Sequence, residues 1–387
     1  MKKKILILSL IFAMVFAMAA CGNKDQNTPA EGEEAETEEA AEEGEEAEAT
    51  DDADGAKIAV VTDVGQLMDK GFNQGTYEGA LHYAEANGVS MKYYQPANGA
   101  DATDNDRIDA MKQAIENGAE IIVTPGFLQA TAIEAVATEN PEVKFVFVDG
   151  WAMGFENVTA VVYKEQESGY LAGYAAVKEG YTKLGFTGGG GGSNPAVNRF
   201  GYGFAQGADA AAEELGVDVE LKYSYKYGET FSASTELQTQ IAGWYADGTE
   251  VVFACGGSMF QSVLSAAAEY EDAKIVGVDV DQSGESSKVI TSAVKGLSAS
   301  VEQVLAQYYE GKWDEALSDQ AQNLGAAENS TGLPVDTWSM ENFTVDQYEE
   351  LFGKIAAGEV TPDANVPDDA NNADWLANFN KVTVVFE

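Results

Sequence analysis

The residues best suited to chemistry in this sequence stand just after apolar segments that are typical of strands. Asp63, Asp149 and Asp279 each follow such a segment. Phe72 and Asn73 stand together at the entry to a predicted helix. An exposed aromatic ring can stack on a flat ligand, while carboxylates and amides form hydrogen bonds with its polar edge. The set therefore predicts recognition of a small, flat, polar molecule.

Two glycine-rich stretches look like nucleotide-binding motifs but lack the residues that those motifs need. The run of glycines at 188–192 is followed by Ser193-Asn194-Pro195, where a phosphate-binding loop carries Lys and then Ser or Thr. The run is interpreted as a flexible strand exit. The Gly-x-Gly within 200–204 does not follow a strand, so it is interpreted as a small-residue face of a helix. No phosphate cradle is evident.

The residue types of metal and thiol chemistry are scarce. Beyond Cys21 the sequence holds one cysteine, Cys255, and His82 is its one histidine. A disulfide within the body of the protein and a His- or Cys-based metal site are therefore not expected, and no cofactor is indicated. An enzyme is the second hypothesis, but a deaminase needs a His/Cys zinc site, and the acidic run of a nucleoside hydrolase does not follow the first strand.

Strands and helices alternate from residue 57 onwards, and the strands are near-continuous apolar runs. This pattern predicts a parallel sheet covered on both faces. Strands are predicted at 57–62, 90–94, 120–124, 144–148, 158–163, 183–187, 217–223, 250–254, 274–278, 288–293 and 381–386. Helices are predicted at 75–87, 106–117, 130–139, 196–215, 232–246, 259–270 and 297–309.

The alternation starts afresh near residue 183, which predicts two doubly wound α/β lobes within one body at 57–387. The first lobe is expected at about 57–162 plus about 290–312. The second lobe is expected at about 163–289 plus about 313–387. Ligands of open parallel sheets bind beyond the carboxyl ends of the strands, so the cleft between the lobes is the expected binding site.

The N-terminal residues predict export and a lipid anchor. Three lysines at 2–4 precede an apolar run at 5–20 that is too short and wrongly flanked for a stable transmembrane helix. The run ends in Met-Ala-Ala-Cys, which resembles a bacterial lipobox except that Leu usually stands at position 18. We expect a signal peptide at 1–20, lipidation of Cys21 and attachment to the extracytoplasmic face of the cell membrane. A plain cleaved signal is the alternative.

The segment at 21–56 predicts an acidic, disordered tether between the lipidated cysteine and the folded body. Residues 22–55 are mostly Glu, Ala, Asp, Gly and Thr, so they cannot bury enough apolar surface to fold. The whole chain has a formal charge of -43, which repels nucleic acid and anionic lipid. Neutral small molecules or proteins are therefore the expected partners, and nucleic acid is not.

The segment at 62–80, TDVGQLMDKGFNQGTYEGA, resembles the hallmark of the basic membrane protein family of nucleoside-binding lipoproteins, Asp-x-Gly-x-x-x-Asp-Lys-x-Phe-Asn. The resemblance spans roughly residues 57–311. It implies a type I periplasmic-binding-protein fold, with two lobes, a hinge and a central cleft, that serves an ABC importer and docks on its membrane permease. Further segments match in order at 119–130, 140–150, 157–176, 250–257, 275–282 and 290–296.

The resemblance also implies roles for individual residues. Phe72 and Phe231 would sandwich a purine ring. Asp63 and Asn73 would read the edge of the base. Asp279 would accept hydrogen bonds from the ribose hydroxyls.

Five further residues complete the implied site. Lys295 would contact the sugar or hold the ribose-binding carboxylate, and Gly257 would let the backbone approach the ligand. Asp149, Gly126 and Phe127 would line the same cleft. The implied ligand is a purine nucleoside such as adenosine, guanosine or inosine, bound by a monomer. The same fold binding a sugar or another small polar ligand is the alternative.

Overall fold

The computed structural model describes residues 55–387, apart from residues 65 and 377. The predicted signal peptide and Cys21 lie outside the described residues, as does all of the predicted tether up to residue 54. Within the described part, no helix has both the length and the apolar character needed to cross a membrane.

The described residues form thirteen strands and nine α-helices that largely alternate along the chain. The strands are β1 (Ile58–Val61), β2 (Met91–Tyr94), β3 (Ile121–Pro125), β4 (Lys144–Val148), β5 (Val158–Tyr163), β6 (Lys183–Gly188), β7 (Val219–Ser224), β8 (Val251–Cys255), β9 (Lys274–Asp279), β10 (Val289–Lys295), β11 (Ala321–Leu324), β12 (Thr331–Gly332) and β13 (Val382–Phe386). The helices are α1 (Phe72–Asn87), α2 (Asp104–Glu116), α3 (Ala130–Glu139), α4 (Glu165–Glu179), α5 (Pro195–Leu215), α6 (Thr235–Ala246), α7 (Met259–Ala268), α8 (Leu297–Tyr309) and α9 (Val345–Ala356).

The strands form two sheets, one in each lobe. The first sheet has six strands in the order β11-β5-β4-β3-β1-β2, and all its pairs are parallel. The second sheet has seven strands in the order β12-β10-β9-β8-β6-β7-β13. The short strand β12 is antiparallel to β10, and the other pairs are parallel. The predicted α/β architecture with two parallel-sheet lobes is confirmed.

Each sheet is covered by helices on both faces, which is why its strands are apolar without alternation. In β1, Ile58 and Val60 pack with α1 and α8, while Ala59 and Val61 pack with α2 and α3. In the second sheet, alternate residues of β8 pack towards α4 and α5 on one face and towards α6 and α7 on the other.

The chain crosses between the lobes at other places than the sequence pattern predicts. β10 was assigned to the first lobe from residue 290, but its backbone pairs with β9 and extends the second sheet. β11 was assigned to the second lobe, but it pairs with β5 and covers the open edge of the first sheet. The helix between these strands, α8, packs on the first sheet. The assignments of 290–295 and of 313–324 are therefore corrected.

Helix α4 was not predicted, because burial on nearly all sides removes the amphipathic period. Twelve of its fifteen residues are buried. It packs so closely on α5 that glycines of each helix lie against the backbone of the other. These glycines are Gly169, Gly173, Gly203 and Gly207. Of the Gly-x-Gly within 200–204, Gly203 lies on this helix-packing face, whereas Gly201 lies against Tyr223 and Phe186 of the second sheet. The predicted helical setting is therefore correct, but the two glycines do not form a single face. Helix α9 and the short strands β11 and β12 were also missed.

Candidate functional site

A cavity of about 490 Å³ lies where residues at the strand ends of both lobes meet. Its size is that of a small-molecule site. All ten residues that the resemblance implied as ligand contacts line this one cavity. They are Asp63, Phe72, Asn73, Gly126, Phe127, Asp149, Phe231, Gly257, Asp279 and Lys295.

A buried group of charges lies in the wall of the cavity near the crossings between the lobes. The Lys295 Nζ lies 2.5 Å from Asp149 Oδ2, 3.4 Å from Glu165 Oε1 and 3.9 Å from Asp279 Oδ1. These three carboxylates and Lys295 are called the carboxylate cluster below. Arg199 Nε donates to Glu165 Oε2 at 2.6 Å and so extends the cluster onto α5. Asp149 directly follows strand β4 of the first sheet, and Asp279 is the last residue of strand β9 in the second sheet. The cluster therefore contains residues of both lobes.

Burial and charge act in opposite directions on the cluster. Burial raises the pKa of Asp279 to about 7, although the nearby Lys295 ammonium lowers it in part. Burial likewise raises the pKa of Asp149. Burial alone would lower the pKa of Lys295. The three carboxylates raise it by a larger amount, so the pKa of Lys295 lies above its usual value. Lys295 therefore stays charged, and Asp279 is a carboxylate that titrates near neutral pH.

Both aspartates of the cluster hold an unusual backbone conformation. Asp149 has a φ of 57° and Asp279 a φ of 68°, both in the left-handed region that non-glycine residues rarely adopt. Each lies at the carboxyl end of a parallel strand or just after it. Strain of this kind concentrates at functional sites, where it directs a side chain to a required position.

The loop before α1 is held by Asp69, a residue of the hallmark segment for which the resemblance implied no role. Its Oδ1 accepts hydrogen bonds from the backbone of Gly71 and Gln74, and its Oδ2 accepts one from Asn73. Burial raises the pKa of this carboxyl to about 6, against the lowering effect of those three donors. Asp69 caps the first turn of α1, which begins at Phe72, three residues before the predicted start.

Phe72 lies close to the carboxylate cluster. The Lys295 Nζ is 5.0 Å from the centroid of the Phe72 ring, and it also lies 5.4 Å from the rings of Tyr163 and Phe200. An ammonium over aromatic faces is stabilised by the negative charge of those faces. The ring of Phe72 therefore contacts both the cavity and the buried lysine.

Phe231, in the second lobe, is held by glycines. A Cβ atom on Gly189 would overlap the Phe231 ring, and one on Gly190 would lie 3.0 Å from its Cζ. Gly257 has a φ of 48°, and a Cβ there would lie 3.1 Å from the Phe231 carbonyl oxygen. The glycine run interpreted as a flexible strand exit therefore forms the surface on which this aromatic ring lies. We call residues Gly189, Gly190 and Gly257 the glycine seat.

A glycine also makes room for Asp63. Gly126 has a φ of 98°, and a Cβ on it would overlap the Asp63 carboxylate. The Asp63 Oδ1 accepts a hydrogen bond from the backbone N–H of Val64 at 2.6 Å. Position 126 thus requires glycine for two reasons, its left-handed backbone and the neighbouring carboxylate.

Two buried acceptors of the cavity lining lack a hydrogen-bond partner among the described residues. They are Asn73 Oδ1 and Asp149 Oδ1. A buried acceptor without a donor costs about 1–3 kcal/mol, so such atoms are satisfied when a ligand supplies the donor. The cavity is therefore suited to a molecule with N–H or O–H groups at separate points.

The structure adds residues that sequence reasoning missed. Gln66, Asn194, Phe200, Ser258 and Gln261 also line the cavity. Asn194 carries a recognisable signal, since it precedes Pro195 and its side chain caps the start of α5. Over the described residues, no group of three or more His, Cys, Asp or Glu is arranged to hold a metal ion.

Comparisons with known proteins agree on one family. The family described as ABC transporter substrate-binding protein PnrA-like matches residues 56–360. The chain is 30% identical over 279 residues to the ABC transporter nucleoside-binding protein BmpA of Lactococcus lactis, covering 66% of this chain and 76% of that protein. It is 27% identical over 289 residues to basic membrane protein B of Borreliella burgdorferi, covering 72% and 80%.

The fold is also that of solved solute-binding proteins. A crystal structure of ABC transporter solute-binding proteins from Aeropyrum pernix superposes with a TM-score of 0.67 at 24% identity. The match covers 79% of this chain and 92% of that one. At this identity the likeness extends to the fold alone, which is the periplasmic-binding-protein type that the resemblance implied.

Proposed function

Because the chain belongs to the family of PnrA-like ABC transporter substrate-binding proteins, we propose that its ligand is a purine nucleoside bound between the lobes. The family consists in general of binding proteins and not of enzymes, which supports a role in transport. The relative from Lactococcus lactis is named a nucleoside-binding protein.

The observation that carries this proposal is one cavity that joins two aromatic rings from different lobes to buried carboxylates. Phe72 and Phe231 offer faces on which a base can stack, an interaction of about 1–3 kcal/mol per base. Asp279 and the unsatisfied Asp149 Oδ1 are acceptors for ribose hydroxyls. Asp63 and Asn73 supply acceptors for the N–H groups of a base.

The charge of the cavity favours a nucleoside over a nucleotide. Among the described residues, four aspartates line the cavity, while the one cation in this lining, Lys295, is already shared among three carboxylates. A phosphate would meet repulsion from the aspartates without a free cation to neutralise it. The lining aspartates are Asp63, Asp69, Asp149 and Asp279.

A sugar remains the alternative ligand, because binding proteins of one fold recognise different molecules. Carboxylates and aromatic rings serve sugars as well as nucleosides. The two half-buried phenylalanines on separate lobes favour a flat base, since a ring stacked on both faces gains contact that a sugar does not.

The proposal extends to delivery of the ligand. Lipidation of Cys21 would hold the protein at the extracytoplasmic face of the membrane, and the acidic segment at 22–55 would separate the body from the bilayer. The body would bind as a monomer and present its closed form to an ABC permease. Metabolic labelling with a fatty acid tests the anchor, since Cys21→Ala should abolish the label.

Calorimetric titration of the purified protein tests the ligand. Adenosine, guanosine and inosine are expected to bind tightly. Loss of the 2′-hydroxyl leaves an acceptor unpaired, so 2′-deoxyguanosine is expected to bind about 5- to 150-fold more weakly. AMP, free adenine and ribose serve as controls and should give little heat. If a sugar gives a binding signal and none of the nucleosides does, the proposed ligand is wrong, while the family assignment is unchanged.

A further inference from the structure

The buried side chain of Gln282 makes a hydrogen bond between the two lobes outside the carboxylate cluster. The residue is 1% exposed and follows β9 in the second lobe. Its side-chain Nε2 donates to the backbone carbonyl of Lys70 in the first lobe at 2.7 Å. Its Oε1 accepts from the backbone N–H of Val278 at 3.0 Å. The Gln282 amide therefore makes two hydrogen bonds, one through its oxygen within the second lobe and one through its nitrogen to the first lobe.

The second lobe holds this amide in place. The backbone N–H of Gln282 donates to the Ser292 Oγ on the neighbouring strand β10 at 3.1 Å. A Cβ on Gly277 would lie 2.5 Å from the Gln282 Oε1 and 3.1 Å from its Cβ, so glycine is needed for the side chain to lie against β9. The side chain is therefore fixed before it reaches the other lobe, which lowers the entropic cost of the bond.

The acceptor in the first lobe belongs to the loop that carries the site. Lys70 has a φ of 56°, and it stands between Asp69, which caps α1, and the pair Phe72-Asn73. On the donor side, Gln282 lies three residues after Asp279. One hydrogen bond thus connects the loop behind the stacking ring with the loop behind the ribose-facing carboxylate.

An ion pair beside this bond adds little. The Lys70 Nζ lies 3.7 Å from the Glu285 Oε1, and the two side chains are 48% and 29% exposed. Exposed pairs of this kind contribute little because solvent screens them. The buried amide is the stronger of the two polar links at this edge of the cleft.

We propose that Gln282 is a positioning residue that holds the closed lobes together around the bound ligand and so sets its rate of release. The inference rests on the proposed function. It predicts that Gln282 acts on dissociation more than on association, because its bond to Lys70 forms only when the lobes meet, after the ligand has entered.

Stopped-flow kinetics with guanosine tests this inference on wild-type protein, Gln282→Leu and Gln282→Asn. Leu keeps the size but neither donates nor accepts, while Asn keeps the amide but is one methylene too short to span the cleft. The dissociation rate is expected to rise about tenfold in both, with association within about threefold of wild type. X-ray scattering should show a smaller decrease in radius of gyration on adding guanosine.

Asn157→Ala is the matched control. The Asn157 amide donates to three backbone carbonyls within the first lobe, those of Ala137, Asn140 and Val143. This variant should lose thermal stability but keep the wild-type rate of release. If either folded Gln282 variant releases guanosine at the wild-type rate, the inference is wrong. A wild-type protein that binds no nucleoside overturns the proposed function first, and this inference with it.

Discussion

Lys295 and Phe231 both line the second-lobe side of the cavity, but the protein holds them in different ways. Lys295 is fixed by charge, because Asp149, Glu165 and Asp279 surround its ammonium in a buried setting. Phe231 is held by packing on residues that have no side chains, since its half-buried ring lies on the backbone of the glycine seat.

The difference has consequences for stability and binding. The charges of the carboxylate cluster are buried, so loss of the lysine would leave three carboxylates without their common cation and destabilise the fold. The Phe231 ring is only partly buried, and its loss leaves no unpaired polar group. The cluster should therefore support both folding and binding, while the glycine seat should serve binding alone.

The largest effect is expected from Lys295→Met, which keeps the length of the side chain but removes its charge. Three buried carboxylates then lose their common cation, and removing one partner of a buried ion pair costs about 3–5 kcal/mol. Urea denaturation should show a loss of stability of this size. Lys354→Met is the control, because the Lys354–Glu350 pair on α9 is exposed and screened by solvent, so its loss should leave the urea midpoint almost unchanged. If Lys295→Met and wild type are equally stable, the buried charges around Lys295 do not stabilise this part of the cavity.

The next effect is expected from Gly189→Ala. The backbone at Gly189 has a φ of -77°, which alanine adopts without strain, but the new Cβ would overlap the Phe231 ring. Displacing the ring should cost most of one stacking interaction, about 1–3 kcal/mol, or roughly 5- to 150-fold in nucleoside affinity. Calorimetry measures the affinity, and thermal unfolding should change little.

Gly243→Ala is the control for this substitution. Gly243 lies within α6, and a Cβ there meets no atom within 4 Å. Alanine should stabilise the helix slightly, by about 0.5–1 kcal/mol, and leave the affinity unchanged. A Gly189→Ala protein with wild-type affinity would show that the position of Phe231 is not set by its glycine seat.

The same two regions show how far the sequence could predict this site. Asp149, Asp279 and Lys295 were found because each ends or follows an apolar strand within a segment that resembles the family. Glu165 and Arg199 were missed, because they lie on helices whose contacts depend on how α4 and α5 pack together. A glutamate at the start of a helix is usually exposed, and nothing local indicates that this one is buried.

Contacts between distant segments were the hardest to predict. Phe231 was expected in the cleft, but its contact with Gly189 depends on two loops that are far apart in the chain. The lobe crossings were misplaced for a similar reason. A strand such as β10 pairs with whichever edge the preceding helices leave open, and its apolar pattern fits either sheet. Local pattern predicts the elements, while the pairing between them follows from the whole fold.

The smallest effect is expected from pH, and it acts through the carboxylate cluster and not through the glycine seat. With a pKa of about 7, Asp279 in the ligand-free protein holds its proton up to a higher pH than in the unfolded chain. This group therefore favours folding less as pH rises from about 4 to about 7, and its contribution is constant above that. In the proposed complex a ligand hydroxyl would donate to the ionised form, so binding should release a proton near neutral pH.

Nucleoside affinity should consequently fall about tenfold between pH 8 and pH 6, because a group of pKa about 7 is mostly protonated at the lower value. Calorimetry in two buffers of different ionisation enthalpy measures both the affinity and the proton released. Lys295 lowers the pKa of Asp279, whereas Asp149, Asp69 and Glu165 raise it, so the pH at which the affinity is half lost depends on all of these groups.

Asp279→Asn should bind more weakly at both pH values but with a much flatter pH dependence. The Gly189→Ala variant should keep the wild-type slope, since the glycine seat contains no titrating group. An affinity that is constant from pH 6 to 8 in wild type would show that Asp279 does not exchange its proton for the ligand.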